Sequence, residues 1–351
     1  MDADNAQDPA GSAGVDIAVV GATGAVGGAI LELLAERGFT RTTIHPVASD
    51  ASSGETVMFG NKPLLVEGIS EFDFSRVGLA LFAVNPEVSA AHAARATESG
   101  CIVIDCSGRF AEDTEIPLVV YNANPEDLAD YSIRGLVAVP GAVATQLAAV
   151  LAPIQAEVGI ASIHIATYQA VSGAGRGGIA ALAGQTAALL NGLPLPKGGV
   201  FPRQIAFNLL PCIGTLDEQG HSSEEVQVVR ETRRLLGDTS IGISATCVQV
   251  PVFHGHALAV HLETRYPLDV SDLRQLLKKA QGVTLVDAGA TGKYPTPTED
   301  AAGVDGVLVG RLRADQFNEK GINLWIVSDN LRNGAAMNSV RLVEMLIKSY
   351  L

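Results

Sequence analysis

The stretch that decides the fold is Gly21-Ala22-Thr23-Gly24-Ala25-Val26-Gly27. It sits between an apolar run at 15–20 (VDIAVV) and a segment at 29–36 whose Ile30, Leu33 and Leu34 share one helical side. Glycines at this spacing let a chain leave a strand sharply and bring its backbone close to a ligand. The helix that follows offers unpaired N–H groups and a positive dipole end to an anion. A glycine triplet alone says little. Between a strand and a helix it marks the first turn of a dinucleotide-binding βαβ unit, with a pyrophosphate on the helix N-terminus. The alternative is a tight turn without a ligand.

Working outward, the alternation continues. Strands are expected at 43–48, 79–84 and 101–105, and a helix at 90–99. Strands alternating with helices imply parallel pairing through right-handed crossovers, so this part reads as doubly wound. The pattern changes after Pro140. Helices are expected at 145–156, 180–190, 224–236 and 271–281, strands at 160–171, 241–252, 257–266 and 322–327, and a closing helix at 335–350. The segments 241–252 and 257–266 alternate as antiparallel strands would. The fold class is therefore α/β: a doubly wound domain over 15–139 plus 330–351, and a second, α+β domain over 140–329. The acidic residues 1–14 read as a loose tail.

Composition narrows the function. At 351 residues the chain has room for two domains, and 47% hydrophobic against 18% charged residues excludes a disordered chain. A net charge of −14 leaves no basic face for nucleic acid or an anionic membrane. The four cysteines, Cys101, Cys106, Cys212 and Cys247, show no CxxC spacing, so reduced thiols in a cytoplasmic protein and no metal site are expected. The start of the chain lacks the basic and apolar regions of a signal peptide. The apolar run at 135–154 has the length of a membrane span, but Pro140-Gly141 breaks it and Thr145 and Gln146 interrupt it.

Five motifs stand in order: the glycine turn, TYQAVSGAG at 167–175, FPRQIAFNLLP at 201–211, VPVFHGH at 250–256 and DNLRNGAAMN at 329–338. Together, over about 15–351, the chain resembles the aspartate-semialdehyde dehydrogenase family. The resemblance implies a Rossmann domain, a second domain for catalysis and dimerisation, a homodimer, and a last helix that returns to the first domain. It also implies a reaction that reduces an aspartyl phosphate to its semialdehyde with NADPH. Such a reaction uses a cysteine nucleophile, an orienting glutamine, a histidine acid/base and basic residues for carboxylate and phosphate.

Carried over residue by residue, the match is incomplete. The nucleophile loop, N-P-N-C-S/T in the family, reads Val139-Pro140-Gly141-Ala142-Val143, and Ala142 stands where the thiol belongs. A methyl group cannot attack a carbonyl. Gln169 matches the orienting glutamine and His256 the acid/base; the alternative is that both persist for packing. His254 reads as a surface or strand-end residue. The arginine of the family's carboxylate clamp is Gln249, and the phosphate lysine of E-E-x-K is Gln227 in Glu224-Glu225-Val226-Gln227. An amide replaces neither charge. Arg109 lies two positions from the family's arginine and reads as a surface side chain; the alternative is that it reaches the substrate cleft, with Glu224, Gln227 and Gln249.

For the cofactor, the resemblance assigns contacts to Gly21, Thr23, Gly24, Ala25, Val26 and Gly27, to Ser49 and Asp50 after the second strand, and to Ser172, Gly173 and Asn330. NAD or NADP is expected, with NAD favoured: Asp50 repels a 2′-phosphate, and 49–54 carries no base to neutralise one. Asp50 as a solvated loop carboxylate is the alternative.

The pattern of losses resembles the Usg-type homologues, which lack the nucleophile. It implies an NAD(P)-binding homodimer without the family activity. Two other readings stand beside it: an oxidoreductase acting on a free aldehyde or oxo group, and the family reaction run from Cys106. The homodimer contact is expected through the second domain's sheet and 184–211, with the apolar Leu189, Leu190, Ile205, Phe207 and Leu209.

Overall fold

The structure, a computed structural model, describes residues 14–196, 198–286 and 293–351. The tail expected over 1–14 lies, but for Gly14, outside the described residues. The chain forms two compact units: everything up to Pro140 together with Ala335–Leu351, and Gly141–Gly334.

In the first unit, β1 (Ile17–Val20) leads through the glycine turn into α1 (Ala25–Glu36). Then follow β2 (Ile44–Ala48), a small hairpin of β3 (Thr56–Phe59) and β4 (Lys62–Leu65), β5 (Glu67–Gly68), β6 (Leu79–Phe82), α2 (Pro86–Glu98), β7 (Ile102–Asp105) and β8 (Leu136–Ala138). The sheet order is β5-β2-β1-β6-β7-β8 with every pairing parallel. Strands buried on both sides need continuous apolar text, and Ile17–Val20 and Leu79–Phe82 are buried at every position. The helix expected at 90–99 begins earlier, at Pro86, because Asn85 accepts from Val88 N–H as its N-cap and Pro86 fits the first turn.

The second unit opens with α3 (Ala142–Val158) and β9 (Ile160–Gln169), then α4 (Gly175–Leu190), α5 (Ser223–Leu235), β10 (Gly242–Gln249), β11 (His256–Thr264), α6 (Val270–Lys279), β12 (Val283–Leu285), β13 (Val307–Ala314) and β14 (Gly321–Ser328). Its sheet is mixed, in the order β10-β9-β11-β14-β13-β12. The antiparallel character expected of both segments holds for β11 and is corrected for β10. β10 lies at the edge, parallel to β9, while β11 runs antiparallel between β9 and β14. Alternating side chains show that a strand has one buried face, not which strand is its neighbour. Val143, Leu147, Val150, Leu151 and Ile154 of α3 pack into the core with Ile163, Ile165, Leu258, Val260 and Ile326.

The last helix, α7 (Met337–Ser349), belongs to the first unit and buries Val340, Val343 and Leu346 in its core beside Ile30, Leu33 and Leu34. Residues 330–334 stay with the second unit. Their ties explain it: Asp329 accepts from Leu331 and Arg332 N–H and from Gly303 N–H, and Asn333 bonds Gly306 N–H and Val304 O.

Candidate functional site

In the first unit the glycine turn lies where the strand order reverses, between β1 and β6, the usual ligand position in a doubly wound sheet. A Cβ on Gly21 (φ +91°) would stand 2.2 Å from Ala83 O, and one on Gly27 would stand 2.1 Å from Gly21 O. Only hydrogen fits at either position. Gly24 is the N-cap of α1, with no side chain capping the first turn and no acid within it. The N–H groups that open α1 therefore lack an internal anion, which suits a pyrophosphate.

At the end of β2, Asp50 Oδ2 accepts from Ser70 Oγ at 2.6 Å and Oδ1 from Ser70 N–H at 3.2 Å, bonds that hold its carboxyl below the usual range. It stays exposed and charged next to Ser49. Arg109 is exposed and lies over the ring of Phe110. Cys106 Sγ lies 3.0 Å from Ser339 Oγ, and burial pushes its thiol up to about 12. At neutral pH it is no thiolate.

The second unit brings together most of the remaining residues. Ala142 opens α3, directly after the N-cap Gly141. Its Cβ faces Gly334: a Cβ there would stand 2.8 Å away. Glu231 of α5, 1% exposed, accepts from Gly141 N–H through Oε2 and from Gln227 Nε2 through Oε1, both at 2.8 Å. Burial raises its carboxyl to about 7. Gln169, at the end of β9, donates through Nε2 to Glu224 Oε1 at 3.0 Å, and burial raises Glu224 as well. Gln249, at the end of β10, donates through Nε2 to Gln169 O at 2.7 Å. The side chain expected to have lost a carboxylate clamp is thus fastened to backbone.

His256 is buried at the start of β11, and its Nδ1 accepts from Ala170 N–H at 3.1 Å. Desolvation lowers its pKa to about 3, so the ring is neutral and carries its proton on Nε2. Gly173 leaves room there: a Cβ on it would lie 3.4–3.5 Å from His256 Cε1 and Nε2. Asn330 Oδ1 accepts from Ser172 Oγ and from Gly255 N–H, both at 3.0 Å. Ser172, Gly173 and Asn330 are in the second unit and the glycine turn in the first. His254 is half-buried beside this group.

Three features escaped the sequence reading. Glu231 carries no motif and reads as one more acid on an amphipathic helix. Glu225 is not a dipole-matched acid alone: with Ser222 it forms a capping box, and its other oxygen accepts from Cys247 N–H. Cys212 is a half-buried thiol on a segment held to β10 by reciprocal Leu210–Gln249 backbone bonds and to α5 by Glu224 N–H on Ile213 O. The apolar residues of 184–211 divide: Ile205 is buried in a small core with Val171, Leu182 and Leu210, whereas Leu190 (74%) and Phe207 (67%) are exposed.

A nucleotide turn on a parallel sheet, joined to a mixed-sheet unit that gathers a buried histidine, glutamines and carboxylates, defines a two-unit nucleotide-dependent dehydrogenase class. Residues 16–131 match the NAD binding domain of semialdehyde dehydrogenases, and residues 151–333 match their dimerisation domain. The chain belongs to the aspartate-semialdehyde dehydrogenase family. It is 46% identical over 335 residues to aspartate-semialdehyde dehydrogenase 2 of Vibrio cholerae, covering 95% of this chain and 98% of that one. It is 44% identical over 337 residues to a USG-1 protein homolog of Pseudomonas aeruginosa, covering 96% and 99%. The crystal structure of Vibrio cholerae aspartate semialdehyde dehydrogenase II complexed with ASA superposes with a TM-score of 0.94 at 45% identity, covering 97% of this chain and 100% of that one. Among the described residues no helix is long and apolar enough to cross a membrane.

Proposed function

We propose that this chain is an NAD(P)-binding, dimerising member of the family that does not run the thioester route. The observation that carries the reading is Ala142, a methyl group at the head of α3 where acyl transfer needs a thiolate. Gln227 and Gln249 support it, since both are engaged by Glu231 and by Gln169 O rather than offering charge to a substrate. Within this reading Gln169 and His256 are remnants of a catalytic set, and Glu224, Gln227, Gln249 and Arg109 mark the former substrate positions. The first unit binds the nucleotide on Gly21–Gly27. The second dimerises, in part through the exposed Leu190, Phe207 and Leu209. NAD(H) is accepted at least as well as NADP(H), because Asp50 stays charged after β2.

The names of the relatives support a second reading: an active NAD(P)-dependent oxidoreductase on an aldehyde or oxo group, aspartate semialdehyde or another carbonyl. A free carbonyl accepts hydride without a thioester, and His256, neutral with a proton on Nε2, is a suitable donor. NAD(P)H would supply the hydride; the chain's own residues would orient the carbonyl and deliver the proton. Phosphate-dependent NAD(P)H formation from L-aspartate semialdehyde, run beside a panel of aldehydes and ketones with NAD(P)H, separates the two. No turnover on any substrate supports the first reading, and turnover of a free carbonyl without phosphate supports the second. If phosphate-dependent turnover occurs, the thiol is found by comparing Cys106→Ser with Cys212→Ser.

A further inference from the structure

We propose that Glu231 decides which ligands the Ala142 end of the site admits: seated on the first backbone donor of α3 and hydrogen-bonded to the neutral amide of Gln227, it excludes doubly charged anions and leaves the site to uncharged carbonyl compounds. The inference rests on the reading above that the site surrounds Ala142.

The N-terminus of a 17-residue helix ordinarily draws anions, through its free N–H groups and its dipole. Here the first of those donors is taken. Gly141 N–H, at the N-cap, is spent on Glu231 Oε2, and the other carboxylate oxygen is spent on Gln227 Nε2. Both partners are neutral, so the negative charge is hydrogen-bonded but not cancelled. Solvent does not screen it, because the residue is 1% exposed. The charged groups that reach Glu231 both lie on α5: Glu224, a like charge that opposes its ionisation, and Arg230, which favours it. From the N-cap of α3 the Gly141 N–H faces it. Glu224 is itself bonded to the amide of Gln169, and the amide of Gln249 lies against Gln169 O. A phosphoryl dianion arriving at Ala142 therefore meets an occupied donor and a buried carboxylate whose hydrogen-bond partners are neutral. A carbonyl oxygen carries no charge to repel. Since burial raises Glu231 to about 7, its charge, and with it the exclusion, fades as pH falls through neutrality.

The test uses sulfate, which stays doubly charged from pH 8.5 to 5.5, titrated by calorimetry into the full-length protein at matched ionic strength. Five samples suffice: wild type and Glu231→Gln at each pH, with Gln227→Lys at pH 8.5 as a variant that keeps the carboxylate and adds a cation. At pH 8.5 both variants should bind sulfate at least about tenfold more tightly than wild type, a change of about 1.4 kcal/mol. The wild type should gain about tenfold on going to pH 5.5, and Glu231→Gln should not change. Equal affinity of wild type and Glu231→Gln at pH 8.5, a wild type indifferent to pH, or no saturable sulfate binding in any sample overturns the proposal. Gln227→Lys guards against a purely structural effect, since it leaves Glu231 in place. Phosphate-dependent oxidation of aspartate semialdehyde by the wild type would refute the thiol-free reading in a separate assay, whatever the sulfate titration shows.

Discussion

Replacing Glu231 by Gln should change the pH dependence of stability in a way that can be worked out from its surroundings. In the folded protein the carboxyl is raised from an ordinary 4.5 to about 7, a gap of about 2.5 pH units. A raised carboxyl pKa favours folding only while the group is protonated. The contribution is fully present below about pH 4.5, declines as pH rises, and is gone above about pH 7, where the fold must hold a buried charge. At 1.36 kcal/mol per unit the swing is about 3 kcal/mol. Glutamine has no such swing, but it offers one acceptor oxygen where Glu231 offers two, to Gly141 N–H and Gln227 Nε2, and loses about 1 kcal/mol for the bond it cannot make. Glu231→Gln should therefore be within a few tenths of a kcal/mol (about 0.2) of wild type at pH 5 and about 2 kcal/mol more stable at pH 8.5. Urea unfolding followed by the fluorescence of Trp325, the single tryptophan, reports on the second unit, to which it belongs. Taking the difference between the two proteins removes titrations common to both. Stability profiles that run parallel from pH 5 to 8.5 would refute the reasoning, because they would mean that Glu231 is not held as a strained buried carboxylate.

Further outcomes follow from the same contacts. Ala142→Cys alone should give no measurable aspartate semialdehyde oxidation. The triple change Ala142→Cys, Gln227→Lys, Gln249→Arg should exceed it by roughly 10²–10⁴ in kcat/KM, since two charged contacts at about 1.5–3 kcal/mol each are restored. The gain should fall at the low end, because a lysine at 227 sits within reach of Glu231 and is partly neutralised by it; gains from the single change equal to the triple would sink the argument. Gly27→Ala places a methyl about 2 Å from Gly21 O, so a loss of about 3 kcal/mol in stability and of nucleotide protection in a thermal-shift assay is expected, and an unaltered melting temperature would contradict the close approach. Leu190→Glu with Phe207→Glu should shift the mass in light scattering toward the 36.4 kDa chain, whereas an unchanged oligomer would place the contact elsewhere. NADPH binding tenfold tighter than NADH, about 1.4 kcal/mol, would refute the role given to Asp50.

The first unit was legible where burial is two-sided and local. Ile17–Val20, Leu79–Phe82 and Ile102–Asp105 are apolar throughout or nearly so, and each is followed by a turn or precedes a helix, which is what a parallel sheet requires. The hairpin β3–β4 was not legible, because three of its four residues on β3 are partly or fully exposed and carry no clean alternation. β13 was missed for a related reason: Gly310, Arg311 and Arg313 interrupt the apolar run of Val307–Val309, and the pairing with β14 shifts register there. In the site, Ala142, Gln227 and Gln249 could be named from the sequence only as departures from the motifs of the family it resembles. What those amides do instead could not be read, since Gln249 finds its partner in a neighbouring strand and Gln227 finds Glu231 one turn along α5. Glu231 itself meets Gly141 across 90 residues of sequence, a contact that only the packing of α5 near the start of α3 creates.

If Ala142 holds the nucleophile's place, as proposed, the chain cannot form the family's thioester. The most direct measurement is a single-turnover and steady-state assay of the purified wild-type protein with L-aspartate semialdehyde, phosphate and either NAD or NADP, with an authentic dehydrogenase as positive control. The account predicts no phosphate-dependent formation of NADH or NADPH, together with saturable binding of NAD(H) to the same preparation. Robust phosphate-dependent turnover that survives removal of contaminating enzyme, and that disappears in Cys212→Ser or Cys106→Ser, would contradict it.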